Sequence, residues 1–556
     1  MRSSITYTIE LGIFGLILGV SAADFQLPVR EADPRQLLAL QRSSTLIAGS
    51  QNQKRNTVRV VNYGQSISLQ RWANELLESL PKQFPNTEFI LNNKAISSFN
   101  ANYLIQTAEA DVYPLLPDLI LFHCYGPYLP GENWEAILTN FRKRTTADII
   151  LIGNHPTSQW HLWEPTNSTK IDFPLNPITH AESWINYVRI PHLSAELGLC
   201  NPDTRTGWKS YLVDHGLKTQ DFLVDGLHLN RAGSDLLRSL LSPYLKAKSL
   251  APQIDPYNNS RVQTHFVGSE KLLWTNGRLR LPFTGNRVDL ISGKLSTGSC
   301  RVLIDGRPPS EWPSGTGHSR TSSWALDPAS RPAILNVAHQ GPLTAQLWQL
   351  TITDQDSMDP RKFAFRVEGS STGFDGVGTS DERFVSNSRQ VVIETNAWYF
   401  NSKSANLPNN FRITWMAEVR CVDEWRPGVM RGNGLETSIN LVNDLPDGEH
   451  VVELTATDLE SIPSVTGLRV FHPGGAMPGT ELPSSGTPAL IRYLRDGESL
   501  LLVWPIKEHD AIPMTSSTVV GSWSQDPGSH VDFLGFRTIA VSMENPSSYF
   551  RLRVSQ

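Results

Sequence analysis

Cysteine is scarce in this chain of 556 residues: there are four, Cys124, Cys200, Cys300 and Cys421, and none forms a C-x-x-C pair. That excludes a disulfide framework, a thioredoxin-type motif and a zinc ribbon, and leaves the four as small buried hydrophobes. Charge is thin as well, with 19% Asp, Glu, Lys and Arg, below the usual quarter. Basic residues number 49 against 54 acidic ones, for a formal net charge of −5. With no cationic excess to neutralise phosphates, nucleic acid is not an expected partner. Beyond the first residues, no apolar run approaches the roughly 18–20 residues that a membrane-spanning helix needs. There is no short-period repeat, and 39 glycines with 37 prolines are ordinary globular usage, so global disorder is excluded too.

What is present begins at the start of the chain. Arg2 precedes the apolar run LGIFGLILGV (11–20) and the small residues Ser21-Ala22-Ala23. This is a secretory signal pattern over 1–23, too short for a stable span. Glu10 sits close to the run, so a retained anchor stays open. The mature protein is expected to be secreted or periplasmic, with no stable membrane span after cleavage. The length suggests about three or four domains. Residues 24–56 read as an N-terminal linker segment.

From 57 to 247 short apolar runs alternate with helix-like stretches, which is the pattern of a parallel sheet covered by helices. The strand candidates are 57–63 (TVRVVNY), 87–91 (TEFIL), 118–124 (DLILFHC) and 148–153 (DIILIG). Helical spacing is visible in 69–80, through Trp72, Leu76, Leu77 and Leu80, in 133–144, and in 230–245. The Pro-, Asn- and Trp-rich stretch 154–179 lacks periodicity and reads as a long surface loop, a length that usually serves function. After Lys248 the character changes. Residues 263–473 read as all-β sandwich material, as one elaborate sandwich or two interleaved ones, and a linker at 473–487 precedes a C-terminal β module over 488–556.

The chemistry is concentrated in the first half. Strand 57–63 runs into Gly64-Gln65-Ser66-Ile67-Ser68 and then a helix. A serine at such a junction projects at the carboxyl edge of the sheet, with its own N–H near a helix start. Serine needs a base. The candidate is in Asp225-Gly226-Leu227-His228, where Asp and His three residues apart at a helix entry can face each other.

These two blocks resemble those of the SGNH (GDSL-type) hydrolase family. GQSIS looks like the family's nucleophile block, with Gln65 in place of the usual acid, and DGLH matches its D-x-x-H. Over roughly 55–245 the resemblance implies Ser66, Asp225 and His228 as a catalytic triad. It also implies a flavodoxin-like three-layer α/β/α hydrolase domain, followed here by all-β sandwich domains. Ordinary α/β-hydrolases fit less well, because their acid and histidine lie on separate loops.

The middle blocks depart from the family's pattern. Its glycine after the second strand is replaced by Ser97 or Ser98, and its asparagine after the third strand by Tyr125, beside His123. The expected oxyanion hole is therefore Ser66 and Ser98 through their N–H groups, with Tyr125 or His123 donating from a side chain. A serine keeps the N–H donor provided that the backbone does not require positive φ. Asn154 and His155, at the end of the fourth strand, are expected to touch substrate together with Trp160 of the following loop. Trp163 is a further stacking candidate.

Elsewhere the signals favour structure. The loop 371–378 (STGFDGVG) lacks EF-hand spacing, and the tryptophans of the second half are expected in sandwich cores. Triad chemistry needs no metal or organic cofactor. The expected activity is that of an exported serine esterase acting on an acylated carbohydrate or another small ester, the carbohydrate resting on analogy. A second reading is a secreted carbohydrate-binding or surface-interaction protein whose hydrolase domain is degenerate and inactive. Composition assigns no oligomeric state.

Overall fold

The computed structural model describes residues 27–28, 31–157, 181–246, 255–293, 297–322, 332–400, 407, 410–428 and 434–475, and the backbone of the strands between 492 and 554. The signal segment 1–23, Trp160 and Trp163 lie outside the described residues. No helix among the described residues is long and apolar enough to cross a membrane.

Four parallel strands form the first sheet: β1 (Thr57–Gly64), β2 (Glu88–Asn93), β3 (Leu119–His123) and β4 (Asp148–Leu151), in the order β2-β1-β3-β4. A parallel bridge from Ile150 to Cys200 continues the edge. β-branched and apolar residues fill these strands because both faces are covered. Val61, Tyr63, Ile120, Phe122, Ile149 and Leu151 point into one core, and Val58, Val60, Leu119, Leu121 and Ile150 into another. Helices Ala101–Asp111 and Asn133–Arg144 close the first core; Arg71–Gln83, Thr204–His215 and Arg231–Leu241 close the second. The stripe of Trp72, Leu76, Leu77 and Leu80 is buried as its spacing predicts. The sheet order reverses direction at β1/β3, so the carboxyl ends of those two strands mark the switch point at which sheets of this kind bind ligands.

Downstream, two antiparallel sheets enclose a shared apolar core. One runs Ser438–Val442, Arg287–Ser292, Val465–Phe471, Val262–Phe266. The other runs Glu424–Trp425, Cys300–Ile304, Gly448–Ala456, Arg278–Gly285. Between Ile304 and Glu424 the chain builds a separate five-stranded sheet, in the order Gly373–Thr379, Phe363–Gly369, Gln346–Gln355, Arg412–Val419, Thr316–His318, with its own core. This second β unit is inserted in the chain of the first. Trp348, Trp398 and Trp415 sit in the core of the insertion and Trp425 in that of its host. The STGFDGVG stretch is largely strand, and Asp375 is buried, accepting from the N–H and hydroxyl of Ser388 at 2.8 and 2.6 Å. The C-terminal strands form a four-stranded and a three-stranded sheet. All four cysteines are free; three are buried and Cys421 is half-buried.

The host sandwich meets the α/β unit at the amino ends of its strands. There Arg144 pairs with Asp444, Arg261 donates to the Thr145 carbonyl at 3.0 Å, and the Arg55 N–H donates to Gly434 at 2.9 Å. The carboxyl ends, where Ser66 lies, are left to other contacts.

Candidate active site

β1 ends in a glycine for a steric reason. Gly64 has φ +154°, and a Cβ there would stand 2.0 Å from the His123 carbonyl oxygen, so β1 and β3 approach at a distance that only glycine permits. The chain then turns through Gln65 into a single 3₁₀ turn, Ser66–Leu69. Ser66 opens that turn, so its N–H has no intrahelical acceptor. Asn62 and Asn93 both donate to the Ser68 carbonyl, at 2.7 and 3.2 Å, which fixes the turn against β1 and β2.

The partner loop lies 162 residues further on. An antiparallel bridge between Leu223 and Leu229 closes it, and Gly226, at φ +83°, makes its bend. Asn230 then caps helix Arg231–Leu241 by accepting from the Gly233 N–H at 3.0 Å. Within the loop, Asp225 accepts from the N–H groups of Leu227 and His228 at 3.1 and 2.8 Å. Its second oxygen accepts from His228 Nδ1 at 2.8 Å, and His228 Nε2 lies 2.9 Å from Ser66 Oγ. The His228 N–H and imidazole hold the Asp225 carboxyl down at about 2. The Nδ1–H tautomer leaves Nε2 free to accept the serine proton.

Ser98 differs from the expectation in its backbone. Its φ is +65°, at the third position of a turn that Phe99 N–H closes on the Ile96 carbonyl at 3.4 Å. Turns of this kind favour glycine there, and an L-residue costs roughly 1–2 kcal/mol. The sequence condition for a harmless exchange, an ordinary φ, is not met. Ser98 is exposed, and no partner for its N–H is found among the described residues.

His123 and Tyr125 stand edge to face, with ring centroids 5.3 Å apart. Among the described residues no hydrogen-bond partner is found for either buried His123 ring nitrogen or for the buried Tyr125 hydroxyl, nor for Gln65 Nε2 and Ser68 Oγ on either side of Ser66. Burial, then the neighbouring His155, pushes His123 down to about 3, and burial raises the Tyr125 phenol. Both are neutral donors at ordinary pH. Unpaired buried polar groups cost about 1–3 kcal/mol each, and a cluster of them calls for a functional explanation.

Asn154 and His155, expected at the substrate, lie among protein partners. Both are almost wholly buried, at 1% and 2% exposure, and no partner for His155 Nδ1 is found among the described residues. Asn154 donates to the Tyr128 hydroxyl at 3.2 Å, its N–H reaches Asn186 at 2.8 Å, and its carbonyl accepts from Arg205 at 2.9 Å. His155 Nε2 donates to the Leu227 carbonyl at 2.7 Å, inside the Asp225–His228 loop, and its ring lies 5.7 Å from that of Trp208. Burial takes His155 down to about 4, so the ring is neutral. Through Nε2 it staples the histidine loop. The sequence reading missed Gln70, whose side chain accepts from the Leu229 N–H at 3.2 Å and donates to the Leu229 carbonyl at 3.3 Å, tying the serine turn to the histidine loop. Its position directly after the 3₁₀ turn was the available signal.

No family model and no curated protein matches this chain. Solved structures do, esterases among them. One is a two-domain esterase (CEX) active on acetylated mannans, 12% identical over 81% of this chain and 99% of its own, with a TM-score of 0.28. Others are a protein from Parabacteroides merdae described as a putative GDSL-like lipase (14% identical, 36% of this chain and 100% of that one, TM-score 0.27) and the acetylxylan esterase Axe2 from Geobacillus stearothermophilus (14%, 37% and 99%, TM-score 0.28). At this degree of overlap they define neither the reaction nor the substrate of this chain.

Proposed function

We propose that the chain is an exported serine ester hydrolase with an SGNH-type three-layer α/β/α domain, removing O-acetyl or other acyl groups from carbohydrate. The observation that carries the reading is the unbroken hydrogen-bond chain from Asp225 through His228 to Ser66. Ser66 Oγ attacks the acyl carbonyl as His228 Nε2 takes its proton. The tetrahedral intermediate collapses, His228 returns the proton to the leaving alcohol, and the acyl group remains on Ser66. Water, deprotonated by the same imidazole, then releases the acid. Asp225 stays ionised throughout and stabilises the imidazolium. The N–H groups of Ser66 and Ser98 receive the oxyanion, and neutral His123 or Tyr125 supplies the side-chain donor that an asparagine would otherwise give. One such donor is worth about 3–4 kcal/mol. The carbohydrate carrier is inferred from the block resemblance and the appended sandwiches, and export from the N-terminal pattern.

Ser66→Ala is expected to abolish hydrolysis of 4-nitrophenyl acetate by the purified protein. Wild-type turnover in that variant overturns the assignment. The second reading, a degenerate domain that only binds glycan, is favoured by the missing asparagine and by the strained Ser98. It predicts no turnover in the unaltered protein either.

A further inference from the structure

The inserted β unit does more than follow the α/β domain. Arg320 enters from its edge and places Nε at 2.8 and 2.9 Å from the two carboxylate oxygens of Asp111, which is fully buried on helix Ala101–Asp111. Its Nη2 donates to the Lys94 carbonyl at 2.6 Å. Lys94 begins the segment 94–99 that contains Ser98. On the inner side, the N–H groups of Lys94 and Ile96 donate to the Asn62 and Gly64 carbonyls, each at 2.8 Å. On the outer side, the Tyr399 ring packs against Phe99 at 4.7 Å and Tyr103 at 4.9 Å. Ala333, Leu335 and Tyr399 lie in the same apolar core as Ile96 and Phe99, and Gln106 donates to the Asn396 carbonyl at 3.1 Å. The segment is thus clamped between β1 and a module encoded more than 200 residues downstream.

A serine at φ +65° needs such a clamp, since left to itself it relaxes toward negative φ and turns its N–H elsewhere. Taking the hydrolase reading above as its basis, we infer that the inserted β unit is a positioning domain for the oxyanion loop: Arg320 and Tyr399 hold residues 94–99 so that Ser98 keeps its left-handed backbone and its N–H serves the oxyanion. These two are positioning residues, acting through Ser98 without touching substrate. A clamp of this kind lowers the barrier and leaves substrate affinity nearly alone, because the oxyanion forms only in the transition state.

The test uses the full-length chain. Arg320→Met alone leaves the buried Asp111 charge to Lys94 Nζ at 4.0 Å, so it is paired with Asp111→Asn; Asp111→Asn alone, which also removes that Lys94 ion pair, is the reference against which the double variant is read. Tyr399→Leu is the uncharged second probe. Each is expected to lower kcat on 4-nitrophenyl acetate about tenfold or more with KM within about twofold. Each should also speed amide exchange of residues 94–99. The kcat loss should shrink in a Ser98→Gly background, because glycine holds positive φ without help. Folded variants with unchanged kcat and unchanged exchange overturn the inference. A protein that never turns over the ester removes the hydrolase reading alone. Loop exchange then decides the clamp: faster exchange in the variants sustains it and unchanged exchange overturns it.

Discussion

The two loops that flank Ser66 are held by different parts of the chain. The histidine loop is secured by the α/β domain itself, through the His155 hydrogen bond to the Leu227 carbonyl, the two-way contact of Gln70 with Leu229, and the Asn230 cap. The segment 94–99 has a strained serine where a glycine would be at rest, and its outer face depends on Arg320 and Tyr399 of the inserted β unit. The difference teaches that, in the proposed hydrolase, proton transfer and oxyanion binding are stabilised separately within one site. A change in the first should leave the second intact.

The largest effect expected from breaking the first loop is that of Asp225→Asn. The imidazole loses its charged partner and the correct tautomer, and kcat should fall by about 10⁴. Asp225 is about half exposed, so a melting temperature near that of the wild type should accompany the loss. A small kcat loss would show that the carboxylate is dispensable.

His155 should have a smaller effect that can be separated from folding. His155→Leu deletes the staple and is expected to cost about tenfold in kcat, whereas His155→Gln, whose amide can still donate to Leu227, should recover most of it. Acid stability is a second readout. The ring sits at about 4 when folded, against its ordinary 6.5. Between those values the folded protein binds fewer protons than the unfolded one. The stability linked to this group is therefore complete above about pH 6.5 and is lost as pH falls toward 4. Thermal melts between pH 7 and 4 should show a shallower decline for His155→Gln than for the wild type; an equal decline would show that His155 is not among the groups responsible.

The smallest effect concerns the second loop alone. Ser98→Gly should raise stability by roughly 1 kcal/mol by relieving the left-handed serine, seen as a higher midpoint in urea. A lower midpoint would mean that the serine side chain contributes more than its backbone costs.

The contrast between the loops also governs how much of the molecule its sequence reveals. The four parallel strands are legible to within a few residues, because buried parallel strands are near-continuous apolar runs, and the closing helix declares itself through Leu236, Leu237, Leu240 and Leu241. The three residues linked by hydrogen bonds at the carboxyl edge are legible because Asp225 and His228 are neighbours in sequence and Ser66 lies at a strand–helix junction. What cannot be read is tertiary. Nothing local to Ser98 announces φ +65°, nothing local to His155 announces that its ring turns inward to Leu227, and Arg320 looks like any surface arginine until its partners 209 and 226 residues away are known. Interleaving over 263–473 is one of the two arrangements the sequence leaves open, but which strands belong to which unit is hidden, since alternation identifies strands but not which sheet each one joins.

The central claim is that Ser66 is a nucleophile activated by His228. The most direct measurement is reaction of the intact protein with a fluorophosphonate, followed by peptide mass spectrometry. One adduct on Ser66 is expected, with labelling lost in His228→Ala. No adduct at Ser66, or equal labelling when His228 is absent, would contradict the claim.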